Sequence, residues 1–357
     1  MALPKTMKAV VFDGPRKVSL QDRPVPRLQE DTDIIVKVQA AALCGSELHV
    51  YRGHQPSATG FIMGHEFTGT VVEAGSAVQS VSVGDKIVAP FTISCGKCFY
   101  CLNGGTARCA HSRLFGSPLD GSQASYVRVP LADGTVSKAH ASISDEALIL
   151  MADIFPTGYF GVKSALALAS PTLKVEDSTI VVVGCGPVGL CAIVAAAERK
   201  PRHLFAIDSV GERLEQARKL GAEPLNFMTD REAMVARVKE VTEGRGADMV
   251  VEVVGLSPAL RTAFDLVRPF GVISSIGVHN AEIPWSGSEA YGKNIRLQMG
   301  RCPVRSVFPE ALELLEKKQH LLGFMFENVM PLSKAVEGYT LFDEMKVQKV
   351  IFKPDEE

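Results

Sequence analysis

The sequence predicts an α/β chain of two domains, a mainly-β domain at the start and a doubly wound parallel-sheet domain after it. Three observations lead there. The chain has 357 residues, enough for two domains at roughly 150 residues each. Its first third is rich in short β-branched or apolar runs cut by turn residues, the mark of a mainly antiparallel, barrel-like sheet. From Ser178 onward, apolar strands alternate with helical segments, which implies right-handed crossovers in a parallel sheet.

In chain order, strands are expected at Met7–Phe12, Thr32–Ala41, Phe67–Glu73 and Lys86–Phe91. Clusters such as Asp13-Gly14-Pro15, Gly75-Ser76 and Val83-Gly84-Asp85 separate them. The pattern changes near residue 155. Thr179–Val183 is a continuous apolar run, as a strand buried on both faces should be. Pro187–Arg199 follows as helix, His203–Ile207 as strand and Glu212–Leu220 as helix. Asp248–Val254, Pro258–Val267 and Val272–Ile276 repeat strand, helix, strand. After about Lys293 the alternation stops. Strands are then expected at Ile295–Met299 and Lys349–Phe352, and helices at Val307–Lys317 and Leu332–Met345. This tail reads as a return to the first domain. The domains are therefore residues 1–156 completed by 296–357, and residues 157–295.

Hydrophobic residues make up 46% and charged residues 22%, which excludes disordered and fibrous classes. Lysine plus arginine (38) nearly balances aspartate plus glutamate (40), so charge gives no reason to expect nucleic acid or an acidic membrane as partner. No apolar run reaches the ~18 residues of a membrane span. Met1–Val11 carries no small-residue cleavage site, so it does not read as a secretion leader. The expectation is a cytoplasmic, enzyme-sized chain.

Gly184-Cys185-Gly186-Pro187-Val188-Gly189 sits directly after an expected strand and opens an expected helix. G-x-G-x-x-G alone is weak, but that context points to a dinucleotide phosphate site. Gly184 allows the tight turn, Gly186 lets backbone approach a pyrophosphate, and Gly189 lets helix and strand pack closely. Asp208 lies nineteen residues after Gly189, at the end of the next apolar strand. Its carboxylate suits an adenosine ribose and would repel a 2′-phosphate, favouring NAD over NADP. Arg213 follows at a distance from which it could reach a phosphate. The plainer alternative is a turn followed by a capping aspartate.

Eight cysteines are many for a cytosolic chain, and four of them, Cys95, Cys98, Cys101 and Cys109, fall within fifteen residues. In a reducing compartment such clustering points to metal. Four thiolates on a glycine-containing lobe can close a tetrahedron around zinc, leaving no open position, so the role would be structural. A disulfide pair or four free thiols is the plainer reading. Cys44-Gly45-Ser46-Glu47-Leu48-His49 and Gly64-His65-Glu66 are more dispersed. Each alone could be a buried thiol or a hydrogen-bonded histidine. Beside a nucleotide-binding domain they suggest part of a catalytic zinc site, which needs three protein ligands and an open position.

These motifs, with Thr157-Gly158, resemble those of the zinc-dependent medium-chain alcohol dehydrogenase family over nearly the whole chain, from Met7 to about Pro354. The resemblance implies a GroES-like mainly-β catalytic domain and a Rossmann domain, with the active site in the interdomain cleft. It implies two zinc ions per chain, NAD as cofactor, a small-molecule alcohol or carbonyl substrate, and a homodimer or homotetramer. Cys44, His65 and Asp153 take the positions of the catalytic zinc ligands. Aspartate at the third is similar to the bacterial-type secondary alcohol dehydrogenases, where the glutamate after the histidine, here Glu66, also approaches the metal. Ser46 stands where the family has the hydroxyl that accepts the alcohol proton. His49 stands where the proton exits by way of the nicotinamide ribose. Thr157 corresponds to a residue at the nicotinamide end, and Phe91 to a pocket position. Trp285 and Tyr51 are further pocket candidates, while Cys185, Cys191 and Cys302 read as buried structural thiols. Polyol, amino-alcohol or carbonyl-reducing activity of the same family stays open, as does a zinc-stabilised nucleotide-binding protein without catalysis.

Overall fold

A computed structural model describes residues 3–116 and 119–355. Met1 and Ala2, at the head of the segment read above as leaderless, lie outside them. The chain forms two compact units, Met1–Asp153 with Pro303–Glu357, and Ile154–Cys302.

In the first unit, the strand Ile34–Leu43 pairs antiparallel with Glu66–Ala74 along most of its length. Its other edge is shared by Tyr126–Val129, opposite residues 34–37, and by Val350–Lys353, opposite residues 41–43. Lys86–Ala89 and Ser137–Lys138 extend the sheet beyond Glu66–Ala74. A separate hairpin joins Thr6–Gly14 to Lys17–Pro24. Ile34, Val36, Phe67, Ile87 and Val129 form one core. A second gathers Leu43, Tyr51, Tyr339 and Phe352 beside the helix Ala335–Asp343. Full burial of one such side chain stabilises by ~1.5–3 kcal/mol. The register decides the site: Ala42 faces Glu66, and Leu43 faces Val350. Residues 44, 65–66 and 349, far apart in sequence, therefore meet at one end of the sheet.

The second unit is a six-stranded parallel sheet. Its order is Glu223–Asn226, His203–Asp208, Thr179–Val183, Ala247–Glu252, Val267–Ser275, Arg296–Met299. From Thr179–Val183 the chain winds first to one side and then, after Asn226, to the other. That switch point opens a crevice at the carboxyl ends of the strands, the usual ligand position in such sheets.

Several boundaries differ from the sequence expectation. The strand at residue 296 pairs in parallel with Val267–Ser275, so it belongs to the second sheet rather than to the returning tail, which begins at Pro303. Its half-exposed edge position gives a polar pattern unlike the inner strands. The strand from Lys86 stops at Ala89, before Pro90, which has no N–H for a ladder. The helix Ile154–Leu168 has no counterpart in the sequence reading; it is buried on most sides and carries Pro156, Gly158 and Gly161. Gly158 lets it approach the helix Pro187–Glu198, where a Cβ would sit 2.6 Å from the Ala192 nitrogen. Among the described residues, no helix is long and apolar enough to cross a membrane.

Candidate active site

Cys44 ends the strand run and starts the helix Gly45–Tyr51, while His65 immediately precedes the facing strand. Asp153 leaves the turn Ile149–Ala152, and the carbonyl of Ala152 accepts the Phe91 N–H at 3.2 Å. Ligand-capable atoms of Cys44, His65, Glu66 and Asp153 all lie within 4.8 Å of one another. Cys44 Sγ is 3.5 Å and His65 Nε2 3.6 Å from Asp153 Oδ2. Ser46 Oγ lies 3.3 Å from Cys44 Sγ and 3.4 Å from His65 Nε2.

The surroundings of this cluster were not apparent from sequence. Glu47, buried, accepts the Cys44 N–H at 2.9 Å through Oε2 and the Gly64 N–H at 2.8 Å through Oε1, and Oε1 is 3.9 Å from His65 Nδ1. One carboxylate thus spans both ligand-bearing loops. Gly64 has φ +103°, and a Cβ there would meet the Gln123 nitrogen at 2.5 Å, so only glycine fits. Lys349 Nζ donates to Glu66 Oε2 at 2.5 Å, with side chains 1% and 0% exposed. Glu66 Oε1 is buried without a hydrogen-bond partner.

The electrostatics of this pocket suit a cation. Burial raises the Cys44 thiol pKa, and Asp153 and Glu66 raise it further. Burial opposes a charged His65, but Glu47, Asp153 and Cys44 override it and hold its pKa well above the ordinary value. A dense set of anionic groups around one imidazole is stabilised by a divalent ion that accepts thiolate, imidazole and carboxylate, the donor set of zinc.

Cys95, Cys98, Cys101 and Cys109 also lie with their sulfurs within 4.8 Å of one another. Cys98 Sγ is 3.6 Å from Cys101 Sγ and 3.9 Å from Cys109 Sγ, which brackets the ~3.8 Å edge of a tetrahedron with ~2.3 Å zinc–sulfur bonds. No disulfide links them. Backbone N–H groups of Ala110 and Cys101 bring the Cys98 thiol down to about 6. Burial and the neighbouring thiols push Cys101 up to about 12. The metal-free lobe thus resists carrying four thiolates, and a zinc ion would remove that resistance.

His49 is on the same short helix as Ser46, three residues on, so both lie on one face. Burial, then His54 and Arg52, lowers its pKa. Phe91 sets its ring edge-on to His65 at 6.2 Å. Of the two further pocket candidates, Tyr51 packs on Tyr339 at 5.1 Å in the first unit's core, and Trp285 stacks on Phe264 at 4.7 Å in the second unit. Large aromatics read alike in sequence whether they line a pocket or fill a core.

In the second unit, the glycine turn follows Thr179–Val183 at the switch point and opens the helix Pro187–Glu198, with Gly186 as its N-cap and Pro187 and Val188 in its first turn. A Cβ on Gly189 would fall 1.9 Å from the Gly184 carbonyl oxygen, which accounts for the third glycine. Asp208 is buried. Its Oδ2 accepts the Cys185 N–H at 2.7 Å, and Oδ1 accepts those of Ser209 and Val210 at 2.7 and 2.9 Å. A carboxylate has about four acceptor directions, so one remains for a ligand hydroxyl. Arg213, half-buried in the helix Gly211–Lys219, is close enough to oppose Asp208 in its effect on Cys185. Thr157 is buried in the helix Ile154–Leu168. Cys185, Cys191 and Cys302 are buried thiols.

The family to which the chain is similar follows from comparison with known proteins. Residues 30–139 match the alcohol dehydrogenase GroES-like domain, and residues 187–317 match the zinc-binding dehydrogenase family. A zinc-type alcohol dehydrogenase of Aspergillus flavus is 60% identical over 357 residues, 100% of this chain and 83% of that protein. A medium chain reductase/dehydrogenase of Acremonium is 58% identical over 293 residues, 81% of this chain and 99% of the other. Among solved structures, an alcohol dehydrogenase from Thermus sp. ATN1 superposes with a TM-score of 0.90 at 34% identity, covering 98% of this chain and 100% of that one.

Proposed function

The chain belongs to the zinc-dependent medium-chain alcohol dehydrogenase family, and on that premise we propose that it interconverts a small alcohol and its aldehyde or ketone by hydride exchange with NAD. The observation that carries the reading is the meeting of Cys44, His65 and Asp153 with the Ser46 hydroxyl, 3.3 Å from the thiol and 3.4 Å from the imidazole. Cys44, His65 and Asp153 would hold the catalytic zinc, with Glu66 in reserve, and the four lobe cysteines the structural one.

Bound there, zinc supplies a Lewis acid for the substrate oxygen, and NAD supplies the hydride acceptor. The protein's own groups handle binding and the proton. Ser46 Oγ takes the proton of the alcohol hydroxyl as it gives up its own. His49, on the same helical face, passes it to solvent; its depressed pKa keeps the imidazole neutral and ready to accept at neutral pH. The ring of Phe91, edge-on to His65, gives the substrate an apolar wall. The backbone N–H groups at the start of the helix Pro187–Glu198 would face the pyrophosphate. The remaining acceptor direction of Asp208 would take a ribose hydroxyl, Arg213 would lie near the adenosine end, and Thr157 would contact the nicotinamide end. A cytoplasmic homodimer or homotetramer is part of the same reading.

The test is nicotinamide reduction followed by absorbance, with NAD and NADP and with primary, secondary, aromatic and polyhydroxy alcohols, alongside a zinc determination. Two zincs per chain, one in Asp153→Ala, and faster reduction of NAD are expected. Failure with every alcohol and every matching carbonyl would overturn the activity. Two zincs retained in Asp153→Ala would overturn the ligand assignment, and faster reduction of NADP would overturn the role of Asp208.

A further inference from the structure

We infer that Gln123 and Tyr339 are positioning residues for the catalytic metal, acting through Glu47. The chain of contacts is continuous. Tyr339 donates its hydroxyl to Gln123 Oε1 at 3.0 Å, and Gln123 Nε2 donates to Glu47 Oε1 at 3.3 Å. Glu47 in turn receives the backbone N–H groups of Cys44 and Gly64. All three side chains are buried. The helix Ala335–Asp343, about 290 residues from Cys44 in sequence, thereby reaches the two loops that carry Cys44 and His65.

Two features distinguish this from ordinary core packing. First, Gln123 has little freedom to move away: its N–H donates to Met63 O and its carbonyl accepts from Val10 N, both at 2.8 Å. Its amide has an oxygen end and a nitrogen end, and only one orientation serves Glu47. The Glu47 carboxylate, which only accepts, sets that orientation, and the Tyr339 hydroxyl holds the amide in it by donating to the oxygen on the far side. Second, the Tyr339 ring is held independently, between Tyr51 at 5.1 Å and Phe352 at 6.4 Å. Its hydroxyl can therefore be removed with the aromatic packing left in place. Outer partners of this kind orient metal ligands and tune how firmly the metal is held.

The inference rests on the reading of Cys44, His65 and Asp153 as a zinc site. Its test is zinc release from the full-length protein into a chromophoric chelator, in Tyr339→Phe, Gln123→Leu and the double variant, with melting temperatures measured in parallel. The phase absent from Asp153→Ala identifies the catalytic zinc. Gln123→Leu should speed that phase ~10-fold or more, and Tyr339→Phe ~3-fold, as loss of one hydrogen bond predicts. Release from the four-cysteine lobe should not change. Because the two residues act in series, Tyr339→Phe should add nothing in the Gln123→Leu background. Cobalt substituted for zinc should show a shifted visible band in Gln123→Leu. Lower melting temperatures with unchanged release, or fully additive effects, would overturn the inference. If Gln123→Leu does not fold, unchanged release in Tyr339→Phe overturns it alone. A wild-type protein with only the lobe zinc would overturn the underlying site reading instead, an outcome visible before any variant is made.

Discussion

Replacing Lys349 by methionine removes one partner of a fully buried ion pair. Its ammonium lies 2.5 Å from Glu66 Oε2, and neither side chain is more than 1% exposed. Burial opposes the charge on Lys349, but Glu66 overrides it, leaving its pKa above the ordinary lysine value. Glu66 Oε1 already lacks a hydrogen-bond partner, so in Lys349→Met neither carboxylate oxygen would have one. Stranding a buried charge in this way costs about 3–5 kcal/mol. At ~2–4 °C per kcal/mol for a domain of 150–250 residues, the melting temperature should fall by ~6–20 °C. Zinc beside Glu66 would partly replace the lost positive charge, so the fall should be smaller in zinc-loaded protein than after chelation, each measured against wild type in the same condition. Lys349→Met with Glu66→Gln removes both charges and should recover most of the loss. Thermal unfolding followed by circular dichroism gives all of these values. Because the folded pKa of Lys349 is raised, its contribution is complete below the unfolded value of ~10.4 and is lost as pH rises through the folded one. The penalty should therefore be constant between about pH 7 and 9. A fall below ~2 °C, or a double variant as unstable as the single one, would refute the account of this pair as a necessary charge balance.

Ser46→Ala should lower turnover by ~10²-fold or more with both zincs retained; a change under twofold removes Ser46 from the proton path. Cys98→Ala should lose the lobe zinc and open residues 95–109 to proteolysis, while binding of NAD to the glycine turn persists. Since burial, His54 and Arg52 lower the pKa of His49, the acid limb of kcat/KM should lie below the ordinary histidine value of ~6.5. His54→Ala removes one of these influences and should move that limb upward; a limb at or above ~6.5 in the unmodified enzyme contradicts the assignment.

The nucleotide half was legible because its signals are local. A strand buried on both faces is an unbroken apolar run, so Thr179–Val183 has the same bounds in sequence and structure, and the glycine turn follows at once. The four-cysteine lobe is equally local. The catalytic cluster was readable only in its ligand motifs. Gln123, Tyr339 and Lys349 reach it through strand register and helix packing over long sequence separations, and a lone glutamine, tyrosine or lysine carries no local signal of such a role. Glu47 had one: an acid at the third position of a short helix, reaching back to the N–H of the residue before it. The helix Ile154–Leu168 escaped notice because burial on most sides erases the amphipathic stripe.

The pairing of Ile34–Leu43 with Val350–Lys353 also sets a timetable for biosynthesis. The whole of Ile154–Cys302 is made after the first of these strands and before the second. At ~5–20 residues per second, that interval lasts ~15–60 s. Throughout it, the strand edge beside Cys44 is open to pairing with other chains, and Glu66 awaits Lys349. The four cysteines of the lobe lie within residues 95–109, so all of its candidate ligands are present early in that interval. The four lobe cysteines are therefore made well before Lys349, the last of the groups around Glu66, and a chain cut before Lys349 would keep the lobe sequence while leaving the Cys44, His65, Glu66 and Asp153 cluster without its buried cation.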